Sequence, residues 1–323
     1  MEKNMEDTIS DSTNYKLGFN GTGGKFFGIF IGNLLLTIIT LGFYYPWAIA
    51  KQLKFLCKSI TLNGDAFAFN GTGKEMIKGY FKVFFTFLLI FGIAFLAIYF
   101  DYIYFGIIFL YFAIILITPV LIHGSVRYGI ARTSWKGIRF GYHGNRNEMF
   151  VNFFKWIYFT IITLGIYSAW MGMKMNKYII ENIRMGDMEF KFDGKGKDYF
   201  LLNLVGCLLS VITLGIYSFW YYKKVFAYYV ERTRLYKDGK GIYLKSTATA
   251  GDFFVLILLN SLICIFTLGL GTPWVITRTL NFVFSKMEPE GNIDLNSINQ
   301  TEPDYTDEEG DYQSNFLDVD LVI

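Results

Sequence analysis

Few side chains in this 323-residue chain have the type and spacing for chemistry. Its two histidines, His123 and His143, have no Cys or acid at metal-ligand spacing, so no metal site is expected. The three cysteines, Cys57, Cys207 and Cys264, are odd in number and fit no disulfide framework; they read as small buried hydrophobes. No Ser–His–Asp set and no paired carboxylates stand out, so neither catalysis nor a cofactor is expected. Gly71-Thr72-Gly73-Lys74 and Gly194-Lys195-Gly196-Lys197 suggest phosphate cradles at helix N-termini. Neither has the longer glycine loop and the Ser or Thr after Lys that a P-loop needs. A strand-to-helix turn at a membrane surface accounts for them, with the lysines placed to meet anionic lipid head groups. That leaves the amides. Asn33, Asn203 and Asn260 lie in apolar stretches, where an amide needs a partner across helices or on a bound molecule. With His123 and Arg127, at one end of another apolar run, they are the candidate ligand-binding residues.

The surroundings of these residues are apolar. Of the chain, 53% is hydrophobic, 20% aromatic and only 18% charged, a balance that points to a polytopic membrane protein. Charge-free stretches at 26–50, 83–100, 102–126, 156–173, 199–222 and 253–277 approach or exceed the roughly 20 residues a crossing helix needs. Asp101, at the tip of the 83–126 pair, is the one acid in these spans, which argues against a proton- or cation-coupled carrier. Residues Met1–Gly24 hold no apolar core, so no signal peptide is expected.

One phrase organises the chain. Thr-Leu-Gly followed by Trp recurs with a fixed Thr-to-Trp offset of seven: Thr40, Gly42 and Trp47; Thr163, Gly165 and Trp170; Thr213, Gly215 and Trp220; Thr267, Gly269 and Trp274. Its Thr can bond back to the preceding helical turn, its Gly can let helices approach, and its Trp can anchor at an interface. Between the phrases lie alternating aromatics that end in a glycine turn, such as Phe67-Ala68-Phe69-Asn70-Gly71 and Phe190-Lys191-Phe192-Asp193-Gly194, which read as short strands. Glu75, Glu148, Asp198 and Asp252 follow these turns, where a carboxylate meets the positive end of a helix dipole. The linkers 51–82, 171–198 and 223–252 are all basic, so each motif reads as the bend of a helical hairpin returning to the cytoplasmic side, the alternative being six plain crossings with some basic linkers outside.

The turns Phe-Asn-Gly-Thr-Gly (19–23 and 69–73) and the motifs Thr-Leu-Gly-x-Tyr-x-x-Trp (163–170 and 213–220) and Thr-Leu-Gly-Phe-Tyr-Tyr-Pro-Trp (40–47) resemble those of the YjgN-like family of bacterial inner-membrane proteins. The resemblance covers about residues 15–285, and it implies an inner-membrane location and no known activity. The last copy departs from the pattern, with Leu270-Gly271-Thr272 where the middle copies have Ile-Tyr-Ser.

The expected fold is an all-α polytopic membrane protein of repeated helical hairpins, with short β-strands on the cytoplasmic side. The expected divisions are a disordered N-terminus (1–14), a repeated membrane domain (15–286, with units near 15–63, 64–135, 136–185, 186–238 and 239–286) and an acidic disordered tail (287–323) without which the core folds. The expected function is non-enzymatic: binding or passing a small solute or lipid in a multi-pass inner-membrane setting. The expected partners are the bilayer and anionic lipid head groups, with no nucleic acid. The alternative is a structural or regulatory envelope protein acting through its cytoplasmic layer and acidic tail.

Overall fold

The computed structural model describes residues 13–302. Five times the chain runs through strand, helix, helix and strand. Unit one is β2 (Leu17–Phe19), α1 (Gly23–Ile39), α2 (Tyr45–Ser59) and β3 (Ile60–Leu62). Unit two is β4 (Asp65–Phe69), α3 (Gly73–Tyr99), α4 (Ile103–Ala131) and β5 (Thr133–Trp135). Unit three is β6 (Ile138–Tyr142), α5 (Arg146–Ile162), α6 (Ser168–Glu181) and β7 (Ile183–Met185). Unit four is β8 (Met188–Phe192), α7 (Gly196–Ile212), α8 (Ser218–Arg232) and β9 (Thr233–Lys237). Unit five is β10 (Lys240–Ser246), α9 (Ala250–Phe266), α10 (Thr272–Ser285) and β11 (Met287–Gly291); β1 (Thr13–Asn14) precedes the first unit.

The strands form one antiparallel sheet of eleven, in the order β1-β11-β10-β9-β8-β7-β6-β5-β4-β3-β2. Its two ends, β1 and β2, are separated in the chain only by Tyr15 and Lys16. The Tyr15 N–H donates to the Pro289 carbonyl at 3.2 Å, while Asn63 accepts from the Lys16 N–H at 2.7 Å and donates to the Lys16 carbonyl at 2.8 Å. The sheet therefore curls into a nearly closed barrel and leaves little unpaired edge. This corrects the all-α class. Each short strand is weak alone, but its free N–H and C=O groups are satisfied by the next unit's strand, so the repeats merge into one sheet.

The barrel is filled. Trp135, Met185, Met188 and Ile242 are buried in one cluster with Leu62, Phe67, Phe140, Phe190 and Leu235 packed against it. Side chains from eight strands around a curled sheet can share a cluster only in its interior. The same cluster takes in Tyr15, Ile293, Leu295 and Ile298 from the two ends of the chain. The Tyr15 hydroxyl donates to the Ile293 carbonyl at 2.6 Å and accepts from its N–H at 2.8 Å. Residues 287–302 thus supply a barrel strand and a plug, where an acidic tail beginning at 287 was expected. Their acids are few enough to face outward or find partners, while three aliphatic residues at near-alternate positions point in. Thr13 and Asn14 likewise pair with β11 rather than ending a disordered arm. The remainder of both expected termini, 1–12 and 303–323, lies outside the described residues.

The helices form a second layer. Within each unit the two helices pack as a hairpin, and the second packs on the first helix of the next unit; α10 packs on α1 and closes the ring. Four hairpins have helices of 14 to 17 residues, about 21–26 Å long at 1.5 Å per residue. The unit-two hairpin is longer, with 27 and 29 residues. Among the described residues only its helices, α3 and α4, are long and apolar enough to cross a membrane, and 11% of each apolar window is buried.

Candidate functional site

The repeated motif forms the outer tip of each short hairpin. Thr40, Thr163, Thr213 and Thr267 cap one helix and start the next. Each hydroxyl donates to a carbonyl four residues back, at 2.6–2.7 Å, and accepts the N–H four residues on, at 2.7–3.0 Å. The Gly N–H then bonds five residues back, as Gly165 to Thr160 at 2.8 Å and Gly215 to Ser210 at 2.7 Å, the bond of a Schellman cap. The residue in left-handed backbone at the cap is leucine: Leu41, Leu164, Leu214 and Leu268 have φ of 49–51°. Their side chains are 89–94% exposed, and Ile39, Ile162, Ile212 and Phe266 beside them are exposed too.

The glycines do not serve helix approach as expected. Nothing lies within 4 Å of a Cβ added at Gly165, Gly215 or Gly269; what requires glycine there is φ of +85 to +93°. Close approach occurs at the other end of the unit. A Cβ at Gly73, Gly196 or Gly23 would collide with the indole of Trp47, Trp170 or Trp274, each from the preceding unit around the ring. So three motif tryptophans wedge into the next unit's strand-to-helix turn, and Trp274 on Gly23 joins the last unit to the first. Unit five has Ala250 rather than glycine at the equivalent place, and Trp220 stays 47% exposed. Unit two has no motif tryptophan. There His123, 3% exposed, reaches the same seam: its Nε2 lies 3.0 Å from the Gly144 carbonyl and its ring 5.5 Å from Tyr142.

The predicted candidates are distributed rather than gathered. Asn33 donates to the Ala48 carbonyl at 3.1 Å, Asn203 accepts from the Tyr221 hydroxyl at 2.5 Å, and Asn260 donates to Thr279 at 3.1 Å. Each amide thus ties the two helices of its own hairpin. Arg127 lies one turn beyond His123 on α4. The helix-start acids do more than cap. Glu75 meets Arg132 at 3.0 Å, Asp198 meets Arg232 at 3.5 Å and Asp252 meets Lys286 at 2.8 Å, each clamping the base of one hairpin. The Lys286 hydrogen bond, with those from Thr249, holds Asp252 down at about 2. Cys207 and Cys264 are exposed rather than buried, because their helix faces point outward; Cys57 is half-buried. Among the described residues no three His, Cys, Asp or Glu are grouped to hold a metal ion.

A cation at four residues past each motif tryptophan was legible in the sequence but not singled out. Lys51, Lys174 and Lys224 donate to Tyr44, Tyr167 and Tyr217 at 2.5, 2.7 and 2.9 Å, and each ammonium lies 5.3–5.6 Å from the same ring's centroid. In unit five the cation is Arg278 and the tyrosine position is Gly271. Here a cleft of about 540 Å³ opens between α9 and α10, lined by Val255, Leu256, Ile263, Trp274, Thr277, Arg278, Asn281 and Phe282, with Asp252, Ser285 and Gly21 at its border. None of the predicted candidates lines it.

The comparisons with known proteins place the chain in a family but bring no chemistry. The family described as a bacterial protein of unknown function, DUF898, matches residues 14–195, 187–240 and 237–314. A protein named "Inner membrane protein YjgN" in Salmonella typhimurium is 33% identical over 141 residues, 43% of this chain and 34% of the relative. Its namesakes are 38% identical over 85 residues in Escherichia coli K12 (26% and 21% covered) and 31% over 134 residues in Escherichia coli O157:H7 (41% and 32%). The matched stretch is therefore at most 34% of the length of these curated relatives. No solved structure matches. With the family matched along nearly all of the described residues, the chain belongs to DUF898, a bacterial protein family of unknown function.

Proposed function

We propose that the chain is an inner-membrane protein whose hairpin ring binds lipid, with the barrel on the cytoplasmic side and no enzymatic role. The observation that carries this is the row of four leucine tips, each about nine-tenths exposed and each held in left-handed backbone. An L-residue pays about 1–2 kcal/mol for that backbone, and exposed apolar side chains of this kind are stable in an apolar medium rather than in water. The lysines of these pairs lie six residues into the second helices, roughly 9 Å from their starts at 1.5 Å per residue, and reach back to tyrosines at the N-caps. Tyrosine, tryptophan and snorkelling lysine favour a head-group level. From the lysines to the helix starts is about a third of a 30 Å hydrocarbon core. In this reading four hairpins enter one leaflet, and α3 with α4, about 40 Å long, cross and return. The names of the curated relatives support the location. The basic residues near the barrel, such as Lys58 and Lys177, support its cytoplasmic placement by the positive-inside rule.

Single cysteines in a background lacking Cys57, Cys207 and Cys264 test this. An impermeant thiol reagent applied to spheroplasts should label Tyr104→Cys at the long tip, and not Lys58→Cys, Lys177→Cys or Leu164→Cys. After lysis Lys58→Cys and Lys177→Cys should label, and Leu164→Cys should still resist. Labelling of Lys177→Cys from outside, or recovery of the protein in the soluble fraction, sinks the reading.

A further inference from the structure

The geometry points to the unit-five cleft as a binding site for one anionic phospholipid, its phosphate on Arg278 and an acyl chain between α9 and α10. This rests on the membrane reading and names the ligand chemistry within it.

The argument begins with the repeat. Three copies neutralise the cation's need for an acceptor internally, through a tyrosine three residues before the motif tryptophan. The fourth copy, in unit five, lacks that tyrosine and has arginine in place of lysine. No tyrosine fits back easily, since a Cβ on Gly271 would collide with Ile263 and with the Thr267 hydroxyl. Arg278 is half-buried, and none of the described side chains accepts a hydrogen bond from it. A guanidinium offers five N–H donors in a planar fork suited to phosphate, which a lysine does not match.

The rest of the cleft selects the ligand. Asp252 at its border is committed to Lys286 at 2.8 Å and to the Thr249 cap, so it does not supply the missing acceptor. The Thr277 hydroxyl is spent on the Pro273 carbonyl at 2.9 Å. The Trp274 indole N–H has no acceptor among the described residues and adds a second donor one turn before Arg278. Val255, Leu256, Ile263 and Phe282 form the apolar part of the wall, beside the polar Asn281 and Ser285. A free phosphate would leave the apolar part exposed to water, whereas a lipid covers it and meets the arginine at once. The volume, about 540 Å³, lies within the range of small-molecule sites.

The test uses the full chain purified in detergent. Titration with short-chain phosphatidylglycerol, phosphatidylcholine or inorganic phosphate is followed by thermal shift and native mass spectrometry. Phosphatidylglycerol should bind and raise the melting temperature; phosphatidylcholine should bind more weakly, and inorganic phosphate should give no shift. Arg278→Gln should weaken phosphatidylglycerol by roughly tenfold or more, the scale of a lost charge-assisted pair. Arg278→Lys should recover part of it, and Lys224→Gln should leave it unchanged. Val255→Trp, which fills the cleft at an exposed wall and keeps every charge, should also lose the lipid. Equal binding by Arg278→Gln and wild type overturns the site, as does unchanged binding by Val255→Trp. A shift with inorganic phosphate alone replaces the lipid by a free anion and overturns the proposal. Flotation with phosphatidylcholine vesicles separates the two readings: a protein that floats yet shows no preference for phosphatidylglycerol fails only this inference, and one that does not float fails the membrane reading itself.

Discussion

The two ends of the molecule are inside out relative to each other. At the barrel end, aromatic and aliphatic side chains from eight strands turn inward and meet a plug from the chain's own C-terminal segment. At the hairpin end, Leu41, Leu164, Leu214 and Leu268 point away from the protein and are covered by nothing in it. Both ends belong to the same five units, so the difference is not one of composition alone. It lies in closure: a curled sheet encloses a volume that side chains can fill, whereas hairpin tips diverge from their neighbours and have only outside to face. One end is finished by its own chain, and the other leaves its leucines exposed, as the membrane reading proposed above requires.

The largest effect should come from opening the barrel. Ending the chain after Met287 removes most of β11, and with it Ile293, Leu295 and Ile298, each of which contributes roughly 1.5–3 kcal/mol when fully buried. Partners go as well: Asn299 holds Asp187 at 3.0 Å and Glu302 meets His143 at 2.8 Å. We expect no cooperative melt and strong proteolysis for this variant, against a sharp melt for the full chain. A truncation that melts like the full chain would erase the distinction between the two ends.

The hairpin end should respond to substitution in the opposite sense from a core. Leu164→Asp, at a side chain 94% exposed, should leave the melting temperature in detergent within a degree or two while reducing recovery with phosphatidylcholine vesicles several-fold. A loss of folding in detergent would mean that the tip is packed after all.

Backbone strain sharpens the comparison further. Leu164 and Gly165 are neighbours with φ of +49° and +93°. Leu164→Gly should stabilise the detergent-solubilised protein by up to about 1 kcal/mol, since glycine has no Cβ to strain the left-handed backbone. Gly165→Ala should destabilise it by about 1 kcal/mol for the converse reason, with no steric clash involved. Paired denaturation curves with equal magnitudes of the same sign would refute this account of the tip.

The smallest effect is a titration at the plug. Burial alone would raise the Asp187 carboxyl, but hydrogen bonds from Lys237 and Asn299 outweigh it and hold its pKa below the ordinary range. A depressed carboxyl stabilises the fold fully above its unfolded value, about 4, and that contribution disappears as pH falls through the folded value. Lys237 also donates to the Ser297 carbonyl, so the loss loosens the plug. Melting temperature should fall below pH 4, and Asp187→Asn should be less stable at pH 7 with a shallower acid limb. An acid limb of identical slope in both proteins would remove Asp187 from the account.

Much was legible where the signal is local. The Thr-Leu-Gly phrase named every short tip, because a cap is made by residues within five positions of one another. The acids Glu75, Asp198 and Asp252 could be placed at helix starts for the same reason. Their clamps could not, since Arg132, Arg232 and Lys286 lie 34 to 57 positions away in the chain. The Trp47–Gly73 seam was visible as two motifs and invisible as a contact. Arg278 could have been found by aligning the copies on their tryptophans, which shows the basic residue four positions on and the tyrosine that only the last copy lacks.

By itself the sequence determined the repeat, the strand–helix alternation, the bend at each motif and the apolar character of the helices, all of which depend on neighbours along the chain. Tertiary structure alone decided that eleven short strands become one curled sheet, that Trp274 packs on Gly23 to close the ring, and that Ile293, Leu295 and Ile298 fill the barrel. The physical reason is the same in each case. A two- to seven-residue strand carries no record of which edge will satisfy its hydrogen bonds, and an aliphatic triplet in an acidic stretch is too short to read as core until the cavity it fills exists.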